Sequence, residues 1–413
     1  MEEWKEYKLS EVTSILGDGI HGTPQYDDGG SIYFINGNNL ENGHIVIKDN
    51  TKRVSYEESL KHQKPLSERT ILVSINGTIG NVAKYNGEPC ILGKSACYFN
   101  VNEDVDLDFI YYVVANNNFK DTITRLATGT TIKNVSLKTM REYSFMMPPI
   151  ETQKRVSSIL KSLDDKIEVN RRINEQLEEL AGALFKSWFA DFEPFKDGEF
   201  VDSELGMIPK GWKVGTLGEY CKVKSGFAFK SSWWQDNGLK VIKIKNITSD
   251  GVLDMNDCSY VSSENTLKAK DFKTNVGDLL IAMTGATIGK FCMISSKEEM
   301  YVNQRVGKFF LGDNPILKLP FIYCTLKTER VYSEIVNKGQ GSAQPNISGS
   351  DIENIRIPLP EKVDYLLLFN EKLKSVFEKI IKNQQEITHL TTLRDTLLPK
   401  LMSGEIDVNE VEI

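Results

Sequence analysis

Little in this chain is equipped for chemistry. Six cysteines (Cys90, Cys97, Cys221, Cys258, Cys292 and Cys324) form no CxxC pair and no zinc-type spacing, and the four histidines among 413 residues supply no metal cluster. No GxxxxGK[ST] loop is present to cradle phosphate. Gly339-Gln340-Gly341 is followed by Gln344 where GxGxxG needs its third glycine. The Asn/Asp-Pro-Pro-aromatic signature of adenine amino-methyltransferases is missing, and Asn314-Pro315-Ile316 does not meet it. The carboxylate pairs Asp27-Asp28 and Asp164-Asp165 read as solvated faces, one in a turn and one on a helix. No apolar run approaches the roughly 18 residues that span a bilayer, and the acidic start MEEWKEYKLSE is not a signal peptide. A cytoplasmic, metal-free chain with no membrane contact is expected. A basic excess is lacking too: the net charge of −7 excludes simple coating of nucleic acid but permits a local DNA-binding face. With no catalytic constellation, the chain alone is expected to be inert.

What is present is long-range regularity. Between Pro149 and Gly182 no glycine or proline interrupts the chain, and apolar residues recur at heptad spacing. Val156, Leu163, Leu177 and Leu184 form one column; Ile159, Ile173 and Leu180 form the other. A helix of roughly 38 residues would be about 57 Å long, which makes it a rod. A twin rod runs from Lys362 to Met402, with columns Leu366, Leu373, Ile380, Ile387 and Phe369, Val376, Leu390, Leu397. Pro399 is expected to end or kink it near Leu398. Each rod carries a midpoint asparagine on its seam, Asn170 and Asn383, and antiparallel packing would bring the two together. The pairing seam is assigned to Leu163, Asn170, Ile173, Leu177, Leu373, Ile380, Asn383 and Ile387.

The rods follow two copies of one globule. Trp4-Lys5 and Leu9 return as Trp212-Lys213 and Leu217. Gly77-Thr78-Ile79-Gly80 returns as Ala286-Thr287-Ile288-Gly289, Asn134-Val135-Ser136 as Asn346-Ile347-Ser348, and Met147-Pro148 as Ile357-Pro358. Short β-type runs separated by Asn-Gly turns fill the first copy: 31–35, 44–47, 70–75, 82–85 and 96–101, with a helix near 107–116. The second copy repeats them at 239–244, 277–283, 290–294 and 306–311, with a helix near 319–328. The order is residues 1–150 globule, 151–193 rod, 194–211 linker, 212–360 globule, 361–402 rod and 403–413 tail. Two globules alike in plan but diverged in sequence suit one scaffold with two specificities.

Candidate DNA-reading residues follow from side-chain chemistry, lysine for phosphate and Asn, Gln, Arg or Ser for base edges. Cys221–Lys245 interleaves lysines, among them Lys224 and Lys230, with Phe227, Phe229, Trp233 and Trp234; Ser225 lies beside them. Those aromatics equally suit a core. The matching loops Thr128–Ser136 and Gly339–Ser348 supply Thr130, Thr131, Lys133 and Asn134 in one copy and Gln340, Ser342, Gln344 and Asn346 in the other. An ordinary surface turn is their alternative. Lys94-Ser95 and Gln304-Arg305 occupy comparable places, and Arg305 suits the O6/N7 edge of guanine.

Three separated stretches resemble one family. Gly211–Val214 (GWKV) through Ser225–Phe229 (SGFAF) is similar to the opening of a target-recognition domain. Leu184–Phe192 (LFKSWFADF) resembles the end of a central conserved helix, and Leu397–Val408 (LLPKLMSGEIDV) a C-terminal signature. In this order they resemble a type I restriction–modification specificity subunit over nearly the whole chain. The resemblance implies an α+β fold: two β-rich target-recognition domains, a pseudo-two-fold internal repeat, separated by two long antiparallel coiled-coil helices. It also implies that each domain reads half of a bipartite site on double-stranded DNA, while the helices set the spacer and dock two adenine-N6 methyltransferase subunits. Restriction/translocase subunits would join them. S-adenosylmethionine, ATP and magnesium are expected on those partners, with no cofactor on this chain. The alternative is a coiled-coil scaffold carrying two globules for ligands other than DNA.

Overall fold

The computed structural model describes residues 4–129, 132–248, 251–339 and 345–408. Two compact units emerge, one of residues 1–166 with 390–413, the other of residues 167–389. Each comprises a globule and part of both long helices.

In the first unit, Lys5–Lys8 pairs antiparallel with Ser144–Met147 and ties the globule's start to its end. An antiparallel sheet runs in the order Thr13–Asp18, Ala96–Val101, Thr70–Ser74, Val82–Lys84. A smaller sheet sets Ile32–Ile35 between Arg53–Val54 and Cys90–Leu92, the latter pair parallel. The second unit repeats every one of these pairings. Trp212–Thr216 joins Arg356–Pro360. Lys222–Ser225, Val306–Phe310, Leu279–Ala282 and Phe291–Met293 form the larger sheet. Leu239–Ile242 lies between Ser259–Val261 and, in parallel, Met300–Val302.

The central strands are mostly apolar on both faces because both faces are covered, and alternate side chains enter different cores. Ile71 and Val73 face one cluster and Leu72 another; Leu279 and Ile281 face one cluster, Leu280 and Ala282 another. The strands Lys5–Lys8, Thr13–Asp18 and Ser144–Met147 escape a reading by apolar pattern, since their pairing lies in the backbone. The expected helix near 107–116 is present as Leu107–Ala115, and a second helix, Asn117–Arg125, follows it. Asp106 Oδ1 caps Leu107–Ala115 by accepting from Phe109 N, and Asn116 Oδ1 starts Asn117–Arg125 by accepting from Asn118 N.

One buried ion pair sits in the second sheet. Lys308 Nζ lies 2.8 Å from Asp278 Oδ2 and donates to Lys273 O at 2.6 Å, while Asp278 accepts from Asn275 N at 2.7 Å. Burial holds the Asp278 carboxyl above its ordinary range, opposed by the neighbouring ammonium.

The long helices span Ile150–Phe189 and Asp364–Met402. Within each unit they run antiparallel. In the first, Val156 and Leu160 share a core with Leu398 and Leu401. Asp164 bridges Arg394 Nη1 (2.7 Å) and the Tyr112 hydroxyl (2.7 Å), so it is a tie and not the solvated residue expected; Asp165 is the exposed one, held by Lys161. In the second, Phe185, Trp188 and Phe189 pack on Phe369. Leu366, Leu373, Ile380 and Ile387 are all buried.

On the first helix the buried positions at seam spacing are Val156, Leu160, Ile167, Asn170, Asn174, Ala181 and Trp188, with Leu163, Leu177 and Leu184 half-buried; Thr152, Gln153, Ser157 and Phe189 are buried beside them. The second seam column is therefore Leu160, Ile167, Asn174, Ala181 and Trp188, one residue on from the expected one. Ile159 and Ile173 lie at its flank and Leu180 is 54% exposed. Heptad spacing permits either column, and bulky Ile173 and Leu180 outweighed the small or polar Asn174 and Ala181 that the close helix contact takes.

The asparagines correct the expected contact as well. Asn383 Nδ2 donates to Asn174 Oδ1 at 2.8 Å, one turn beyond Asn170. Asn170 is buried with neither amide atom bonded among the described residues, and Asn383 Oδ1 is likewise unpartnered. Such groups cost about 1–3 kcal/mol each, the kind of loss that polar seam residues exchange for register.

Pro399 does not stop the second helix, which continues to Met402. The missing N–H removes one bond near the end, while buried Leu398 and Leu401 hold the last turn in the core. Termination comes at Gly404, whose φ of +73° favours glycine and whose Cα faces Trp4 so closely that a Cβ would meet Nε1 at 3.0 Å.

Candidate nucleic-acid interface

Three segments of the second globule converge at one edge of its larger sheet. The strand Lys222–Ser225 ends with Ser225 opposite Gly307. The turn at 303–305 is pinned by Phe227 N to Val302 O (2.8 Å), Gln304 N to Phe227 O (3.0 Å) and Met283 N to Arg305 O (3.1 Å). The third segment is held by Ile347 N to Met283 O (2.9 Å) and Gly285 N to Pro345 O (3.0 Å). Gly226 permits the crossing, since a Cβ there would lie 2.4 Å from Val302 O. Ser225, Thr284, Gln304, Arg305, Asn346 and Ser348 thereby line an open cavity of about 400 Å³ floored by Met283 and Ile347.

Four sequence-derived candidates, Ser225, Gln304, Arg305 and Asn346, thus share one site. The side chains of Gln304, Arg305 and Asn346 are exposed and make no hydrogen bond or ion pair among the described residues. Thr284, which composition did not single out, adds a buried hydroxyl with no partner among those residues. Lys224 and Lys230 lie outside the cavity. Lys224 Nζ stands 5.0 Å from the Phe310 ring and Lys230 Nζ 5.4 Å from Trp233. The aromatics Phe227, Phe229, Trp233 and Trp234 pack with Val241, Val261, Ala269 and Tyr301 as the core of a small lobe. Lys243 Nζ lies 3.8 Å from the Trp234 ring, and burial lowers its pKa.

The first globule builds the corresponding surface from different residues. Asp18 stands opposite Cys97 as Ser225 stands opposite Gly307. The bridges Ile20 to Gly93 and Asn76 to Asn134 match Phe227 to Asn303 and Thr284 to Asn346. Lys94 therefore answers Gln304, Ser95 answers Arg305, Lys133 answers Pro345, and Asn134 answers Asn346. Lys94, Lys133 and Asn134 are exposed, and Asn134 Oδ1 accepts from Asn76 Nδ2 at 3.3 Å. Ser95 is engaged within the fold: its hydroxyl donates to Asn36 Oδ1 and accepts from Gly37 N, both at 2.9 Å. Thr130, Thr131, Gln340, Ser342 and Gln344 lie outside the described residues. Asp18 was absent from the candidates; aligning the two copies strand by strand would have found it opposite Ser225.

Among the described residues no group of three His, Cys, Asp or Glu side chains is placed to hold a metal, and no helix is long and apolar enough to cross a membrane. The chain matches the type I restriction modification DNA specificity domain over residues 1–179 and again over 209–392. It is 29% identical over 428 residues to the type I restriction enzyme MjaIX specificity subunit of Methanocaldococcus jannaschii, covering 99% of this chain and 95% of that one. It is 24% identical to the HindI specificity subunit of Haemophilus influenzae, covering 98% and 100%. The crystal structure of a type I restriction–modification S subunit from M. genitalium has the same fold, with a TM-score of 0.58 at 20% identity and coverage of 97% and 96%. With each globule matched by the same domain, the chain belongs to the type I restriction modification DNA specificity family.

Proposed function

We propose that this chain is the DNA-reading, non-catalytic subunit of a type I restriction–modification complex, each globule selecting one half of a bipartite site. The observation that carries the reading is the repetition of the main strand pairings around two surfaces whose side chains differ, Asp18, Lys94, Lys133 and Asn134 on one, Ser225, Gln304, Arg305 and Asn346 on the other. A shared framework with exchanged donors and acceptors suits two different base sequences. The helices set the spacer and hold two adenine-N6 methyltransferase subunits, which supply S-adenosylmethionine; restriction/translocase subunits bring ATP and magnesium. Methylation sequencing of DNA from cells expressing the chain with its cognate methyltransferase tests this. N6-methyladenine is expected in one bipartite motif and is lost without the chain. An assembled complex that marks no motif refutes the reading.

Docking is supported by the stripe that the internal seam leaves uncovered. Val169, Ile173 and Leu180 recur at spacings of four and seven on the first long helix, with Val169 47% and Leu180 54% exposed. A partner helix would cover this stripe. Leu180→Glu is expected to leave the isolated chain folded and to weaken its binding to the methyltransferase at least about ten-fold, measured by calorimetric titration. Unchanged affinity would move the docking surface elsewhere.

A further inference from the structure

We propose that Asp18 selects a cytosine in the first half-site, its carboxylate accepting the N4 amino hydrogen in the major groove. This rests on the reading of the chain as a two-headed DNA reader and adds a base assignment to it. Asp18 occupies in the first globule the place that Ser225 takes beside Arg305 and Asn346 in the second, by the same strand register. Its backbone is rigidly held. Ile20 N donates to Leu92 O at 2.8 Å, and the chain at Gly19 approaches Leu92 so closely that a Cβ would lie 2.1 Å from its carbonyl oxygen.

The Asp18 side chain is 20% exposed, so its carboxylate is reached from solvent. Among the described residues no lysine or arginine pairs with it; nearby Arg141 donates instead to Leu16 O at 2.9 Å. Its partner among the described residues is His21, whose Nε2 lies 2.8 Å from Oδ2 while most of the imidazole faces solvent. That contact orients the carboxyl group and leaves Oδ1 unpartnered among the described residues.

A carboxylate on a surface that also presents Lys94, Lys133 and Asn134 lowers attraction to the phosphate backbone for every sequence. Contact with an exocyclic amino group offsets that loss at one base pair. Cytosine N4 is flanked by one acceptor, the O6 of its paired guanine, and by C5–H on the other side, whereas adenine N6 lies between two acceptors, its own N7 and thymine O4, which would repel the second oxygen. The second globule, with a hydroxyl at this place and a guanidinium beside it, reads different chemistry.

The test compares wild type and Asp18→Ser, each assembled with its methyltransferase, by methylation sequencing. Serine is the residue that the second copy already carries at this position, so the exchange is compatible with the fold. The expected result is relaxation at a single C·G pair of the first half-site, with methylation of sites lacking that pair rising at least about five-fold relative to the cognate site. The second half-site stays unchanged. Asp18→Asn, close to isosteric, is expected to relax the same position. An unchanged motif in the Asp18→Ser complex, or a wild-type first half-site of A·T pairs alone, overturns the assignment to Asp18 while leaving the two-headed reading intact. Uniform loss of methylation in an assembled complex assigns Asp18 to the scaffold and also overturns it. A wild-type complex that marks no motif overturns the underlying reading, and this inference with it.

Discussion

Lys308→Met destabilises the second unit by about 3–5 kcal/mol at neutral pH, the largest effect expected from a single substitution. The loss is not that of one good contact. Removing the ammonium leaves Asp278 charged in a place that already disfavours its charged form, with Asn275 N the one remaining hydrogen-bond donor to its side chain among the described residues. The pH dependence has a definite sign. A carboxyl whose folded pKa lies above its unfolded value loses stability as pH rises from the unfolded value, about 3.9, through the folded one. Without Lys308 the folded value moves further up. The deficit relative to wild type is therefore small near pH 4 and grows as pH rises to 7. Urea unfolding followed by tryptophan fluorescence reads this unit, since Trp188, Trp212, Trp233 and Trp234 all lie in it. Asp278→Asn combined with Lys308→Met recovers most of the loss, because the amide still accepts from Asn275 N and carries no charge. A deficit below about 1 kcal/mol at pH 7, or one equal at both pH values, refutes the account.

The ease of reading different parts of this chain follows from where their interactions lie. The strands at 70–75, 277–283 and 306–311 declare themselves because double burial leaves them mostly apolar, with Asp278 and Lys308 paired to each other. Lys5–Lys8 (KEYK) does not, since its place in the fold is set by backbone bonds to Ser144–Met147. The heptads announced two paired helices, yet the choice between Leu180 and Ala181 was open because an apolar side chain can face a neighbour in the same chain or a partner outside it. Leu180 is exposed and Ala181 buried. Asp164 looked like a solvated charge because its partner Arg394 stands 230 residues away. The interface was partly legible for a related reason. Gln304, Arg305 and Asn346 are polar residues in turns, marked twice by the repeat, whereas Asp18 ends a strand whose neighbours identify it only through register.

Arg305→Ala abolishes preference for guanine at one position of the second half-site and leaves the first half-site unchanged. The guanidinium is exposed on a turn fixed by backbone bonds at Met283 and Phe227, and it makes no ion pair among the described residues, so its removal leaves the fold intact. A bidentate contact to O6 and N7 is worth about 1–3 kcal/mol of discrimination, roughly 5- to 150-fold between the cognate and the altered base. The competing role is contact with a phosphate, and two measurements separate them. Loss of a phosphate contact weakens all sequences alike and lowers the salt dependence of binding by about one ion. Loss of base reading changes the methylated motif and, without a phosphate contact of its own, leaves the salt slope nearly unaltered. Arg305→Lys sharpens the distinction, because lysine retains the charge but not the planar fork. It should preserve a phosphate contact and still degrade guanine selection. If methylation sequencing returns the wild-type motif from both variants while affinity falls uniformly in filter-binding titrations, Arg305 is an anchor, and the reading of the second half-site passes to Gln304 and Asn346.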